Sequence, residues 1–392
     1  MKQFLAKVAK LLVQLINAIT PKKKNWVFLR SYFPYPDNVQ AILDEMLKQN
    51  FNLKNRIYCA GNGFDNYKSI SNVFVLKKNK FFEILKFIRC KFVIWDSSIY
   101  FNIKCSKRQT SFNLWHGVSF KKIGFYETPT TKKYQMSTYV VTYSDLFKDK
   151  MSEAFGVPMD NVLITGEPRN DYLGKPVCDE MLSQFGIPVE KKQLKLVIWM
   201  PTFRQSKNHN VNNGKLYEFG FPFLSENNLD TLHRHCVENS IFLILKWHGS
   251  QVLPKKEMHK FTNFLFLTTD MLVKKQLSLY QIVAKCDALI TDYSSIFVNF
   301  MILNRPICFA YDDLDLYEKD RGFMFADVEQ LMPGFKAKDF DSLLLFLKSV
   351  SIDNDEYLKE RSLRLLEFNK YNDFCNSKRL VDFIVSCSSK ND

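Results

Sequence analysis

The chain has 392 residues, of which 46% are hydrophobic and 24% charged. That length supplies a large core and favours two domains over one, and the lack of any long polar block excludes a disordered or fibrous protein. Lys and Arg (55) exceed Asp and Glu (41), a formal net charge of +14, which points to an anionic partner: nucleic acid, anionic lipid or a polyanionic substrate.

Residues 2–20 place Phe4, Leu5, Val8, Leu11, Leu12, Leu15, Ile16 and Ile19 on one helical stripe, with Lys2, Lys7 and Lys10 off it and Pro21-Lys22-Lys23-Lys24 following. This is too short and too charged to span a bilayer, and it lacks a signal peptide's dense apolar centre and small-residue cleavage site. It reads as a basic amphipathic helix (residues 1–24) that lies on an anionic membrane or packs on the protein's own core.

From residue 25 short apolar runs alternate with amphipathic stretches. Strands are expected at 26–29, 92–95, 139–142 and 162–165, and helices at 38–49, capped by Asp37 or Asn38, and at about 144–155. Gly186, Pro188 and a charged cluster mark a hinge near 185–193. A second series follows, with strands at 196–200, 241–245, 288–291 and 306–309. Strands alternating with helices imply parallel sheets. The expected fold is α/β: two Rossmann-like domains (25–188 and 189–392) facing across a cleft, with the last helix able to pack back on the N-terminal one. The nine scattered cysteines include no CxxC pair, so buried thiols in a reducing compartment fit better than zinc.

Ligands gather at the carboxyl ends of parallel strands, so polar residues there are the candidates. Thr291-Asp292-Tyr293-Ser294-Ser295 lies between an apolar run and an amphipathic helix; it reads as a phosphate cradle or as a plain N-cap. Arg321-Gly322 follows the strand at 306–309 and could present a planar fork to a pyrophosphate. The acids of 311–320 do not keep calcium-loop spacing and read as solvated loop residues. Trp-His-Gly occurs twice, at 115–117 and 247–249, once per half. Two histidines at strand ends can face each other across a cleft, one as a base and one stabilising a phosphoryl group. Arg169, in Thr165-Gly166-Glu167-Pro168-Arg169-Asn170-Asp171, and Arg204, in Pro201-Thr202-Phe203-Arg204, also follow strands. With Arg321 they suit a substrate carrying several phosphates. No P-loop, HExxH, GxSxG or kinase signature is present.

Taken in order, Trp115-His116-Gly117, residues 165–171, Pro201-Thr202-Phe203-Arg204, Lys246-Trp247-His248, Leu289 through Phe300 and Asp312 through Phe323 resemble the CDP-glycerol glycerophosphotransferase family, the enzymes that prime and polymerise teichoic acids and some capsules. The resemblance covers about residues 26–335. It implies a GT-B architecture, a C-terminal domain holding a CDP-polyol donor, and an N-terminal domain facing a lipid-linked or polyanionic polymer acceptor at the cytoplasmic face of the membrane. It makes His116 the base and assigns donor-phosphate stabilisation to His248. Arg204, Thr291, Asp292, Ser294, Ser295, Arg321 and Gly322 would bind the donor. Gly117, Lys121, Arg169, Asn170 and Asp171 would serve the acceptor or support the site. No protein metal site is expected and no cofactor is assigned, although Mg²⁺ can accompany a pyrophosphate. Two departures, Gly249 where the family usually has proline and Asn299 where it often has an acid, leave room for CDP-ribitol. The rival readings are a GT-B glycosyltransferase using a nucleotide sugar and a non-catalytic basic binding protein. The second is weakened by the lack of an aromatic-studded RNA-binding sheet, and no nucleic-acid partner is expected.

Overall fold

The structure is a computed structural model. It describes residues 2–77, 79–97, 103–118, 120–127, 135–188, 190, 193–204, 213–247 and 260–389.

Among the described residues, thirteen strands form two sheets, and every strand pair is parallel. The first contains β1 (Lys23–Ser31), β2 (Arg56–Gly61), β3 (Val73–Val75), β4 (Cys90–Trp95), β5 (Thr110–Asn113), β6 (Tyr139–Thr142) and β7 (Val162–Ile164), in the order β3-β2-β1-β4-β5-β6-β7. The second contains β8 (Lys195–Trp199), β9 (Ile241–Lys246), β10 (Phe264–Leu267), β11 (Ala288–Thr291), β12 (Ile307–Ala310) and β13 (Phe335–Ala337), in the order β10-β9-β8-β11-β12-β13. Each order runs outward from its first strand and then reverses, the doubly wound pattern, so each sheet has a switch point: between β1 and β4, and between β8 and β11. The central strands are apolar on both faces because helices cover both; Val197, Ile198 and Trp199 are fully buried.

The helices are α1 (Lys2–Ile19), α2 (Asn38–Lys48), α3 (Lys80–Phe87), α4 (Lys148–Phe155), α5 (Asp179–Ser183), α6 (Leu229–Glu238), α7 (Thr269–Lys275), α8 (Leu279–Val283), α9 (Ile296–Phe300), α10 (Leu314–Asp320), α11 (Phe340–Ser351), α12 (Leu358–Phe368) and α13 (Asn376–Ser389). Asp37 caps α2 in a capping box with Gln40. The last helix, α13, lies on the first sheet's side: Leu380, Val381 and Ile384 share a core with Val27, Leu29, Val39 and Ile42. Its start is held from a distance, since the Asp171 carboxylate accepts the backbone N–H of Asn376 and of Ser377, both at 2.8 Å.

Between the sheets runs an aromatic seam. Phe120 lies 5.0 Å from Phe297 and 6.1 Å from Phe368, ring centre to ring centre, and Phe147 lies 5.9 Å from Phe368. The backbone joins the halves too: Lys122 N–H donates to the Gly322 carbonyl at 3.0 Å, and Met324 N–H to that of Phe120 at 2.6 Å. The hinge expected near 185–193 falls partly on residues outside the described set.

Helix α1 docks through Val13 and Asn17. The Asn17 amide donates to Gln109 Oε1 at 2.9 Å. The stripe Leu11, Leu12, Leu15, Ile16 and Ile19 faces outward, with Leu15 65% and Ile19 74% exposed. Packing on the protein's own core, one of the two roles open for the stripe, is therefore not what it does here.

Candidate active site

The carboxyl ends of both sheets meet at one cavity of about 270 Å³. Its N-terminal wall comes from the loop after β1 (Phe33, Tyr35, Asp37), from His116 after β5 and from Arg169 after β7. Its C-terminal wall comes from the loop after β8 (Met200, Pro201, Phe203), from Lys246-Trp247 at the end of β9, and from Ser294-Ser295 after β11. Both switch points feed it, the position at which doubly wound sheets hold ligands.

His116 sits in a turn that only special backbone permits. Trp115 has φ 54° and Gly117 φ 118°. A Cβ on Gly117 would stand 2.6 Å from Ser295 Oγ and 2.9 Å from Arg169 Nη2, so glycine lets the two walls approach. The His116 ring lies against Trp115, centres 4.0 Å apart. Its Nδ1 is 3.2 Å from the Asp96 carbonyl oxygen. A carbonyl only accepts, so Nδ1 carries the proton and Nε2 keeps its lone pair. Burial, helped by the nearby Arg169 and Lys121 cations, lowers the ring's pKa to about 4. The imidazole is neutral at physiological pH and competent as a base.

Arg169 is a strut. Its Nη2 donates to the His116 carbonyl at 2.9 Å, and the guanidinium pairs with Asp37 at 3.3 Å and Glu167 at 3.1 Å. Burial pushes the Asp37 carboxyl up to about 6 against the pull of Arg169, and lifts that of Asp96 to about 7. Asn170 and Asn299 join the halves behind this strut: the Asn299 amide nitrogen lies 2.5 Å from Asn170 Oδ1, 2.8 Å from Glu167 Oε2 and 2.9 Å from the Tyr143 hydroxyl. An acid at 299 would set two carboxylates against each other; the amide donates instead.

Ser294, Ser295, His116 and Arg169 thus meet at the cavity. Gly117 lets its walls close, and Asn170 and Asp171 brace it from behind. Other expected site residues serve the framework. Thr291 Oγ1 donates to the Met200 carbonyl at 2.7 Å. Asp292 accepts Thr202 N–H at 2.7 Å and Ser294 N–H at 3.2 Å, and it pairs with Arg204 at 2.8 Å. Arg204 also pairs with Asp313 and is enclosed by Tyr217, Tyr293 and Tyr317. Each of its terminal nitrogens meets a carboxylate, which ties the loops after β8, β11 and β12 together. Arg321 pairs with Glu127 at 2.6 Å across the two halves, and Gly322 (φ 74°) packs under the Lys122 side chain. Lys121, bridged through its backbone to Phe323, is buried enough to bring its ammonium down to about 8. His248 and Gly249 lie outside the described residues.

Of the acids of 312–320 that could suggest a metal, Asp312 pairs with Lys215 and Asp313 with Arg204. Among the described residues no cluster of three or more potential ligands could hold a metal ion. Sequence reasoning missed Asp96 and Lys246 as site residues. Both follow or end a buried strand, and the strand-end rule that found His116 would have found them.

Two doubly wound halves closing on a cleft at their strand ends define a GT-B fold. Similarity extends to the wall teichoic acid polymerase TagF, with TM-score 0.73 at 20% identity over 100% of this chain and 98% of that one. It extends more distantly to a UDP-GlcNAc 2-epimerase from Neisseria meningitidis, with TM-score 0.52 at 12% identity over 92% and 99%. Residues 12–386 match the CDP-Glycerol:Poly(glycerophosphate) glycerophosphotransferase family, and the chain belongs to it as a glycerophosphotransferase of teichoic acid synthesis. The chain is 26% identical to a teichoic acid glycerol-phosphate transferase of Staphylococcus aureus, over 92% of this chain and 93% of that protein. It is 25% identical to a teichoic acid ribitol-phosphate primase of Bacillus spizizenii, over 98% of each. It spans 48% of a poly(ribitol-phosphate) polymerase from the same species.

Proposed function

We propose that the enzyme moves glycerol phosphate from CDP-glycerol to a hydroxyl of a lipid-linked or polymeric cell-envelope acceptor at the cytoplasmic face of the membrane. The observation that carries this reading is His116: a neutral imidazole with Nδ1–H fixed by the Asp96 carbonyl, opposite Ser294 and Ser295 across one cavity. His116 Nε2 takes the proton of the acceptor hydroxyl as its oxygen attacks the phosphorus bearing glycerol. The bond from that phosphorus to the bridging oxygen breaks, and CMP leaves with the electron pair. The Ser294 and Ser295 hydroxyls donate to phosphate oxygens. His248, which follows Trp247 in the sequence, stabilises the charge that builds on the donor. Positioning and charge supply most of the acceleration in such transfers.

Membrane attachment is proposed through α1. Its outward apolar stripe is flanked by exposed Lys23, Lys24 and Arg108, the combination by which an interfacial helix binds anionic lipid. No described helix is long and apolar enough to cross a membrane.

The test is acceptor-dependent CMP release from CDP-glycerol. Release should collapse in His116→Ala and His248→Ala. Turnover with CDP-ribitol alone would change the donor and keep the mechanism; inactivity with every CDP-polyol would overturn the reading.

A further inference from the structure

The cations of this cleft can be followed one by one to their counter-charges. Arg169 faces Asp37 and Glu167, Arg204 faces Asp292 and Asp313, and Arg321 faces Glu127. Lys246 differs. It lines the cavity beside Ser294, Ser295 and His116, and its ammonium donates to the backbone carbonyl of Trp247 at 2.9 Å. Among the described residues no carboxylate lies within ion-pair distance of it. Other lysines on surface loops are free to stay solvated; this one has been drawn into a cavity wall. A cation moved out of water without a counter-charge is costly. The cost is recovered when an anion enters the cavity.

We propose that Lys246 is a phosphate-binding residue of the donor site, receiving the diphosphate oxygens of the incoming nucleotide. The inference rests on the transferase reading above and adds the cation that reading lacks, since the three arginines first expected to grip phosphate are each held by acids. The position fits. Lys246 ends β9, the strand next to β8 in the second sheet, and Ser294-Ser295 follow β11 on the other side of β8. A diphosphate lying across the carboxyl end of β8 would meet the ammonium at one end and the hydroxyls at the other.

Burial also brings the Lys246 ammonium down to about 8, which supplies a readout that a structural lysine would not. Lys121, near His116, also falls to about 8, so the assignment to Lys246 rests on the comparison with the Lys246 variants; the other titratable groups lining the cavity stay silent near that pH. His116 and Asp37 have already lost their protons, and Tyr35 and Tyr280 are pushed above the ordinary phenol range by burial.

The experiment is calorimetric titration of the full chain with CDP, CMP and inorganic pyrophosphate from pH 6.5 to 9.5. Wild type should bind CDP more weakly as pH rises past about 8. Lys246→Met should weaken CDP roughly 10- to 100-fold below that pH, the worth of a charge-assisted hydrogen bond, and should lose the pH dependence. Lys246→Arg, which keeps its proton throughout, should bind well and show no decline; it guards against a fold defect in the methionine variant. Wild-type binding of CDP that Lys246→Met leaves unchanged in strength and pH profile overturns the assignment while the transferase reading stands. Lys246-dependent binding of pyrophosphate without any binding of CDP supports the anion site and overturns the cytidine-nucleotide reading.

Discussion

Gly117→Ala is the perturbation whose consequence the geometry fixes most tightly. At φ 118° an L side chain is strained, and the new Cβ would stand 2.6 Å from Ser295 Oγ and 2.9 Å from Arg169 Nη2. Neither neighbour is free to retreat at no cost. Arg169 Nη2 holds the His116 carbonyl and Glu167, and Ser295 precedes the buried α9. If the turn stays in place, the strain costs roughly 1–3 kcal/mol, and for a 392-residue chain the melting temperature should fall by about 1 °C for each kcal/mol. If the turn relaxes, His116 moves, and a displacement near 1 Å is worth about 100-fold in turnover. Steady-state CMP release and thermal denaturation together distinguish the two routes. A variant with unchanged kcat and unchanged melting temperature would refute the claim that this glycine sets the distance between the walls.

The other expectations follow from the same observations. Because His116 is held neutral down to about pH 4, it should add no acid limb to kcat/KM near the ordinary imidazole value of about 6.5; a limb between about pH 6 and 7 should belong to Asp37 and Asp96 and should shift when these are changed to Asn. A histidine whose folded pKa is depressed loses base function only as pH nears 4, whereas its share of stability is lost as pH falls from the ordinary value toward 4. A limb centred near 6.5 that persists in Asp37→Asn and Asp96→Asn would contradict the burial of His116. Asp171→Ala leaves the Asn376 and Ser377 N–H groups without their acceptor; each such loss costs about 1–3 kcal/mol, so urea denaturation should show a lower midpoint with α13 more exposed to proteolysis, and an unchanged midpoint would dismiss the cap. Removing residues 1–20 should abolish co-sedimentation with vesicles containing anionic lipid while leaving the melting temperature close to that of the full chain; undiminished binding would dismiss α1 as the anchor.

Much of the frame was readable because doubly wound sheets write their central strands as uninterrupted apolar runs. β4, β8, β9 and β11 all stand out in this way. The edge strand β13 (Phe-Lys-Ala) carries no such run, β3 (Val-Phe-Val) has one only three residues long within the strand, and the four apolar residues of β10 could equally be a buried helical turn. At the site, the strand-end rule located His116, Ser294 and Ser295. It could not sort the arginines. A guanidinium after a strand looks the same whether it awaits a phosphate or already holds an acid, and the partner that decides the matter for Arg204, Asp313, is 109 residues further along. The position of Lys246 was hidden for the converse reason: its significance lies in having no carboxylate partner among the described residues, which no local spacing records.

The aromatic seam between the sheets bears on how substrate reaches the cavity. Phe120, Phe147, Phe297 and Phe368 are each 2% exposed or less, and returning four such side chains to water would cost about 6–12 kcal/mol, as much as a whole domain's net stability of about 5–15 kcal/mol. The chain also passes between the halves twice, before β8 and again between α12 and α13. The slot between the walls is therefore closer to a fixed vice than to a pair of jaws. Donor and acceptor must thread in from its open mouth, and the spacing between base and phosphate is set when the protein folds, before either substrate arrives.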